Sequence, residues 1–66
     1  MDIGKRITDI CNEKNISVKD LAQRSGVSEA TIKKIKAGDI CNPMVLTVLH
    51  ICDGLGVAYS EFFKGM

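Results

Sequence analysis

Two helix-starting serines, Ser17 and Ser28, with Gly26 just ahead of the second, constrain this chain more than any other feature. Ser17 can accept a hydrogen bond from the first helical turn after it, Asp20 stands at the third helical position, and Ile16 can staple onto Leu21. Val18, Leu21 and Ala22 recur at helical spacing and form the expected buried face. Gly26 supplies the left-handed conformation that ends this short helix. Ser28 caps the next helix at once, and Val27 can staple onto Ile32. Gly38 ends it, with Lys33, Lys34 and Lys36 near its negative pole. Only Gly26 and Val27 therefore separate Ser25 from the cap Ser28. A turn that tight makes the two helices cross steeply, and Ala22 is small enough to let them approach closely.

Helical periodicity continues on both sides. Ile3, Ile7, Ile10 and Cys11 make one apolar stripe, with Asp2 as its N-cap and Asn15 as its stop. A fourth helix is expected to start at Asn42 and Pro43, a capping residue followed by the residue favoured at the first helical position. Its expected buried positions are Val45, Val48, Leu49, Cys52 and Leu55, and Gly54 or Gly56 closes it. Tyr59 to Phe63 forms a last short helix. No run alternates with a β period. The expected fold is all-α, a compact single domain of five helices over residues 1–66, with the paired helices at about 17–37.

A chain of 66 residues is near the limit at which one core folds alone, which leaves room for one domain and no deep catalytic cleft. Its content of 45% hydrophobic and 26% charged residues is that of a globular rather than a disordered chain. Lys5, Arg6 and Asp9 interrupt any signal-peptide pattern. The apolar stretch from Met44 to Leu55 falls short of a membrane span and contains His50 and Asp53, so a cytoplasmic protein is expected. Cys11, Cys41 and Cys52 are odd in number and scattered, a poor disulfide framework. Cys11 and Cys52 suit the core, and Cys41 a loop. His50 and Cys52, two apart on a helix, point in different directions, and no CxxC or HxxxH spacing occurs, so no metal or cofactor is expected. His50 has no nucleophile beside it in sequence, and the chain does not read as an enzyme.

The steep joint lets one helix lie across a DNA backbone while the next enters the major groove, although short helical hairpins also occur in proteins that bind no DNA. The segment from Leu21 to Pro43, LAQRSGVSEATIKKIKAGDICNP, resembles the phage-repressor (Cro/XRE-type) helix-turn-helix family. Leu21, Ala22, Gly26, Val27, Ser28, Ile32, Ile35 and Gly38 match its pattern. Similarity extends back through IGKRI and NISVKDLA and forward through LGVAYSEFF, so it covers nearly the whole chain. The resemblance implies a five-helix domain whose third helix reads operator DNA, usually as a dimer. Some positions depart from the pattern. Cys11 and Lys36 stand where many members carry an arginine and a glutamate that pair, which frees Lys36 to face phosphate. Val18 replaces a glutamine that touches the DNA backbone, and Ala58 replaces a capping serine, leaving the last helix weakly held.

Charge is uneven along the chain. The net charge is only +1, short of the strongly basic footprint of many nucleic-acid binders. From Ser17 to Gly38, however, Lys19, Arg24, Lys33, Lys34 and Lys36 face only Asp20 and Glu29, a net of +3; the remainder is −2. With Ile32 and Ile35 inward, the helical repeat leaves Ala30, Lys33, Lys34 and Ala37 on the outer face of the third helix, with Glu29 and Thr31 on its flanks. Glu29, Ala30 and Lys33, then Lys34, are the expected base contacts. A carboxylate accepts from the cytosine amino group, a methyl packs on thymine, and a lysine donates to guanine. Ser17, Ser28, Thr31 and Lys36 suit contacts to the DNA backbone. Each lysine also has a plain reading as solvated surface charge, and Glu29 as a first-turn acid on the helix dipole. One such domain reads too few base pairs to select an operator, so a homodimer on double-stranded DNA is expected. Leu46, Phe62, Phe63 and Met66 are its candidate interface, against which stands a place for the phenylalanines in the monomer core. Two functions stay open, an operator-binding regulator and an antitoxin-like protein-interaction module; no small-molecule ligand is evident.

Overall fold

The structure, a computed structural model, describes residues 2–64. Five helices follow one another: α1 (Ile3–Lys14), α2 (Val18–Ser25), α3 (Glu29–Ala37), α4 (Val45–Leu55) and α5 (Tyr59–Phe62). The start signals of the first three act as the sequence predicts. Asp2, Ser17 and Ser28 accept from the amides of Lys5, Asp20 and Thr31, each satisfying a donor that the helix itself leaves open. Asn15, Gly26 and Gly38 take left-handed conformations at the other ends.

The core draws on every helix. Ile7, Ile10 and Cys11 enter it from α1, Leu21 from α2, and Ile32 and Ile35 from α3. Val48, Ile51, Cys52 and Leu55 come from α4 and Phe62 from α5. Ile16, Val18, Ala22 and Val27 lie half-buried against this cluster. α1 packs on α3, and α2 packs on both α3 and α4. Burial pushes the Cys11 and Cys52 thiols above their usual pKa. Lys36 opposes that shift at Cys11, and Asp53 adds to it at Cys52.

α4 differs from expectation in its start and in its phase. Asn42 and Pro43 belong to the loop, the N-cap is Met44, and no side chain caps the helix. Ile40 packs against the core and Pro43 is half-buried, so the chain is still crossing from α3 at these residues. The buried face is Val48, Ile51, Cys52 and Leu55, whereas Val45 is 65% exposed and Leu49 38%. This face is rotated by about 50° from the expected one at 100° per residue. Seven of the eleven residues of α4 are apolar and spread over more than half of its circumference, so periodicity leaves the edges of the buried face open; contact with α2 sets them. A Cβ on Gly54 would stand 3.0 Å from both Leu21 Cδ1 and Ser25 Cβ, which identifies Gly54 as a close-packing residue and leaves Gly56 to end the helix.

Ala58 gives α5 no side-chain cap, in line with the sequence. The other end of α5 is held from α1. Arg6 donates through Nε to the Phe62 carbonyl at 2.8 Å and through a terminal nitrogen to the Glu61 carbonyl at 3.0 Å. A cation on the last carbonyls of a helix is also favoured by its dipole. Phe62 is fully buried, which places it in the monomer core and removes it from any interface. Phe63 is half-buried beside it, and Met66 lies outside the described residues.

Candidate nucleic-acid interface

The turn between α2 and α3 is built from backbone bonds and one hydroxyl. The Gly26 amide donates to the Ala22 carbonyl at 2.9 Å, and the Val27 amide donates to Ser25 Oγ at 3.1 Å. Gly26 has φ 76°, which reverses the chain in one residue so that Ser28 can cap α3 directly. Val27 tucks in against the core and ties the turn to it.

α3 is thereby split into two faces. Ile32 and Ile35 are buried, while Ala30, Lys33, Lys34 and Ala37 are exposed together on the opposite side, as the helical repeat predicts. Glu29 is exposed at the first turn, and Thr31 is half-buried on the flank. Among the described residues the ion pair is Lys5–Asp9 on α1, so no lysine of α3 is tied to a carboxylate. These ammonium groups are available to an outside anion.

The hydroxyls divide by what they already do. Ser28 Oγ accepts from the Thr31 amide at 3.2 Å and donates to Thr31 Oγ1 at 2.9 Å, so both its functions are used within the cap. Thr31 accepts that bond and keeps its own hydrogen free to donate outward. Ser17 Oγ accepts from the Asp20 amide at 3.0 Å and likewise keeps its hydrogen, at the exposed start of α2. Lys36 lies apart from the outer face, half-buried on the side toward α1, close enough for its charge to act on the Cys11 thiol. A lysine stem laid along apolar surface keeps its ammonium in water, so this placement leaves Lys36 a reach around the flank of α3.

Two packed helices joined by one tight turn, with a lysine-bearing, unpaired outer face on the second, suit a DNA reader. A family model of the Cro/C1-type HTH DNA-binding domain matches residues 6–64, nearly the whole chain. The chain belongs to that family. It is a DNA-binding helix-turn-helix domain of the regulator type, with α2 and α3 as the motif. No curated protein and no solved structure gives a significant match. Among the described residues, no helix of this Cro/C1-type domain is long and apolar enough to cross a membrane.

Sequence reasoning missed two features of this domain that bear on function. The first is the Arg6 clamp on α5; an arginine on α1 carries no mark of a partner so far along the chain. The second is the exposed apolar start of α4, of which only Leu46 stood out. Gly54 was the available signal, since a glycine inside an apolar helix marks the side on which another helix approaches.

Proposed function

We propose that the domain binds operator sequences in double-stranded DNA as a homodimeric transcriptional repressor, with α3 in the major groove. The outer face of α3 carries this reading, because Lys33 and Lys34 are exposed, unpaired with any carboxylate and flanked by small Ala30 and Ala37. Small residues let the helix sit deep in the groove while the lysines reach guanine edges or phosphates. Glu29, Ala30, Lys33 and Lys34 are the base-reading set. Ser17 and Thr31 donate to phosphate, Lys36 reaches it from the flank, and Ser28 holds the first turn of α3 in place. A protein seated there excludes others from the same groove, so repression by occlusion is the simplest output. The setting is cytoplasmic, where the DNA is.

Selection of binding sites from random duplex DNA tests the proposal. A two-fold motif should emerge, and Lys33→Ala or Lys34→Ala should weaken binding to it without unfolding the domain. Failure to enrich any sequence would overturn the reading. The net charge of +1 and the apolar face of α4 favour a second function, an antitoxin-like protein-interaction module. A mobility shift on the DNA upstream of the protein's own gene separates the two, since only the regulator requires a specific shift there.

A further inference from the structure

Gly4 is buried on α1, and its backbone lies against the last turn of α3. A Cβ built there would overlap the Ile35 carbonyl oxygen and stand 3.1 Å from Lys36 Cα and 3.2 Å from the Ile35 carbonyl carbon. All three atoms are backbone, so no side-chain rotation relieves the overlap. Glycine lets α1 and α3 approach more closely than any side chain would allow. The carbonyl that Gly4 faces is one that ends the helix, since it accepts from the Gly38 amide at 3.2 Å. α1 is itself held at this point. Asp2 accepts from the Lys5 amide, Thr8 Oγ1 donates to the Gly4 carbonyl at 2.9 Å, and Ile7 is fully buried. The start of α3 is fixed by other means, because Gly26 and Val27 tie its cap Ser28 directly to α2. α3 is thus a lever, held at its start by the turn and at its end by the contact with Gly4.

We propose that Gly4 is a positioning residue for base reading: the close approach it permits sets the tilt of α3, and with it the alignment of Lys33 and Lys34 on the DNA. The inference rests on the operator-binding reading and extends it to a helix outside the motif. From Ser28 to Lys36 the helix rises about 12 Å. A methyl at residue 4 needs ordinary van der Waals distance from the Ile35 carbonyl, which moves the last turn of α3 by roughly 1 Å. The outer face of α3 is exposed, so the displaced helix swings toward solvent. With the turn as pivot, Lys33 and Lys34 move by roughly 0.6–0.7 Å, beyond the ~0.5 Å within which a binding constellation must be held. Contacts to bases and to phosphates respond differently. An ammonium on a flexible stem follows a phosphate through such a shift, whereas a base edge demands fixed geometry. Substituting Gly4 therefore damages sequence discrimination more than attachment to DNA.

The test compares wild type, Gly4→Ala and Ile51→Val, the last weakening the core from α4, at a temperature where circular dichroism shows each protein folded. Affinity is measured for a selected site and for random duplex at one salt concentration. Gly4→Ala should bind the selected site roughly tenfold more weakly or worse, and random duplex less than about twofold more weakly. Ile51→Val should keep the wild-type ratio of the two affinities. In the free protein, nuclear Overhauser contacts from residue 4 to Ile35 and Lys36 should change in Gly4→Ala while those within α2 persist. Equal losses on both DNAs, or a ratio no different from that of Ile51→Val, would overturn the positioning role. Should Gly4→Ala be unfolded in buffer, sucrose favours its compact state and the comparison is made there. A chain that stays unfolded would overturn the proposal, since Gly4 would then serve folding alone. If wild type selects no sequence, the operator reading fails separately. The Overhauser contacts then judge Gly4 by themselves: a displaced α3 upholds its control of that helix, and an unmoved α3 refutes it.

Discussion

Glu29 is the least expected side chain on a surface that must approach phosphates. It is exposed, makes no ion pair, and stands at the positive end of α3. The helix dipole alone would favour it there in the free protein, yet on DNA it must also meet a donor to be tolerated. The cytosine amino group is such a donor in the major groove. Glu29→Gln should therefore relax or switch the preference at one position of each half-site, with discrimination changing by about 1–3 kcal/mol. Parallel selections with both proteins measure this, and identical motifs of equal stringency would reduce Glu29 to a dipole partner. Gly26 acts on the fold instead. A Cβ built there meets nothing within 4 Å, so a side chain would have room but not a permitted backbone, given φ 76°. Gly26→Val should cost about 1–3 kcal/mol, whereas Gly26→Asn, which tolerates the left-handed region, should cost clearly less. Thermal unfolding of the pair separates strain from crowding, since crowding would penalise both.

Elements differ in how far their sequences announce them. α1, α2 and α3 each carry a capping side chain, an interrupted apolar stripe and a left-handed stop, and all three emerge where the sequence puts them. The outer face of α3 was legible for the same reason, because alanine and lysine alternate with only two isoleucines that must be inside. α4 was less legible: its apolar residues cover more than half of the circumference, so a neighbour selects which of them are buried. That is why Ile51 is buried and Val45 exposed against expectation. α5, only four residues long, is too short to persist without tertiary contacts. Phe62 and the Arg6 clamp hold it, and the clamp joins residues far apart in sequence. Arg6→Met should remove two charge-assisted bonds while keeping most of the stem's packing, at a cost of about 1–3 kcal/mol. In a domain of this size each kcal/mol lowers the unfolding midpoint by about 4–8 °C. Calorimetry should show that drop, and Arg6→Lys should recover only part of it because one ammonium cannot reproduce the fork. An unchanged midpoint for Arg6→Met would mean that the clamp contributes nothing net.

At the scale of the whole molecule, charge is sorted rather than accumulated. The helix-turn-helix carries +3 and the rest of the chain −2, so a near-neutral protein still concentrates its cations in one motif. Such a distribution orients the domain in the field of a duplex without the broad, sequence-blind attraction that a large net charge brings. Counterion release should then depend on few phosphates. With each neutralised phosphate contributing about −0.9 to the slope of log affinity against log salt, each lysine that touches phosphate adds roughly one unit. Lys33→Ala, Lys34→Ala and Lys36→Ala, titrated on one selected site across a series of salt concentrations, sort the three side chains by role. Loss of a lysine on phosphate should lower affinity and reduce the slope by about one unit per half-site, alike on every sequence. Loss of a lysine on a base should leave the slope nearer its wild-type value and lower affinity for the selected site more than for random DNA. Lys36, on the flank toward α1, should fall in the first class, and Lys33, at the centre of the outer face, in the second. Affinity of the wild-type protein that does not change with salt would reject the electrostatic mechanism altogether.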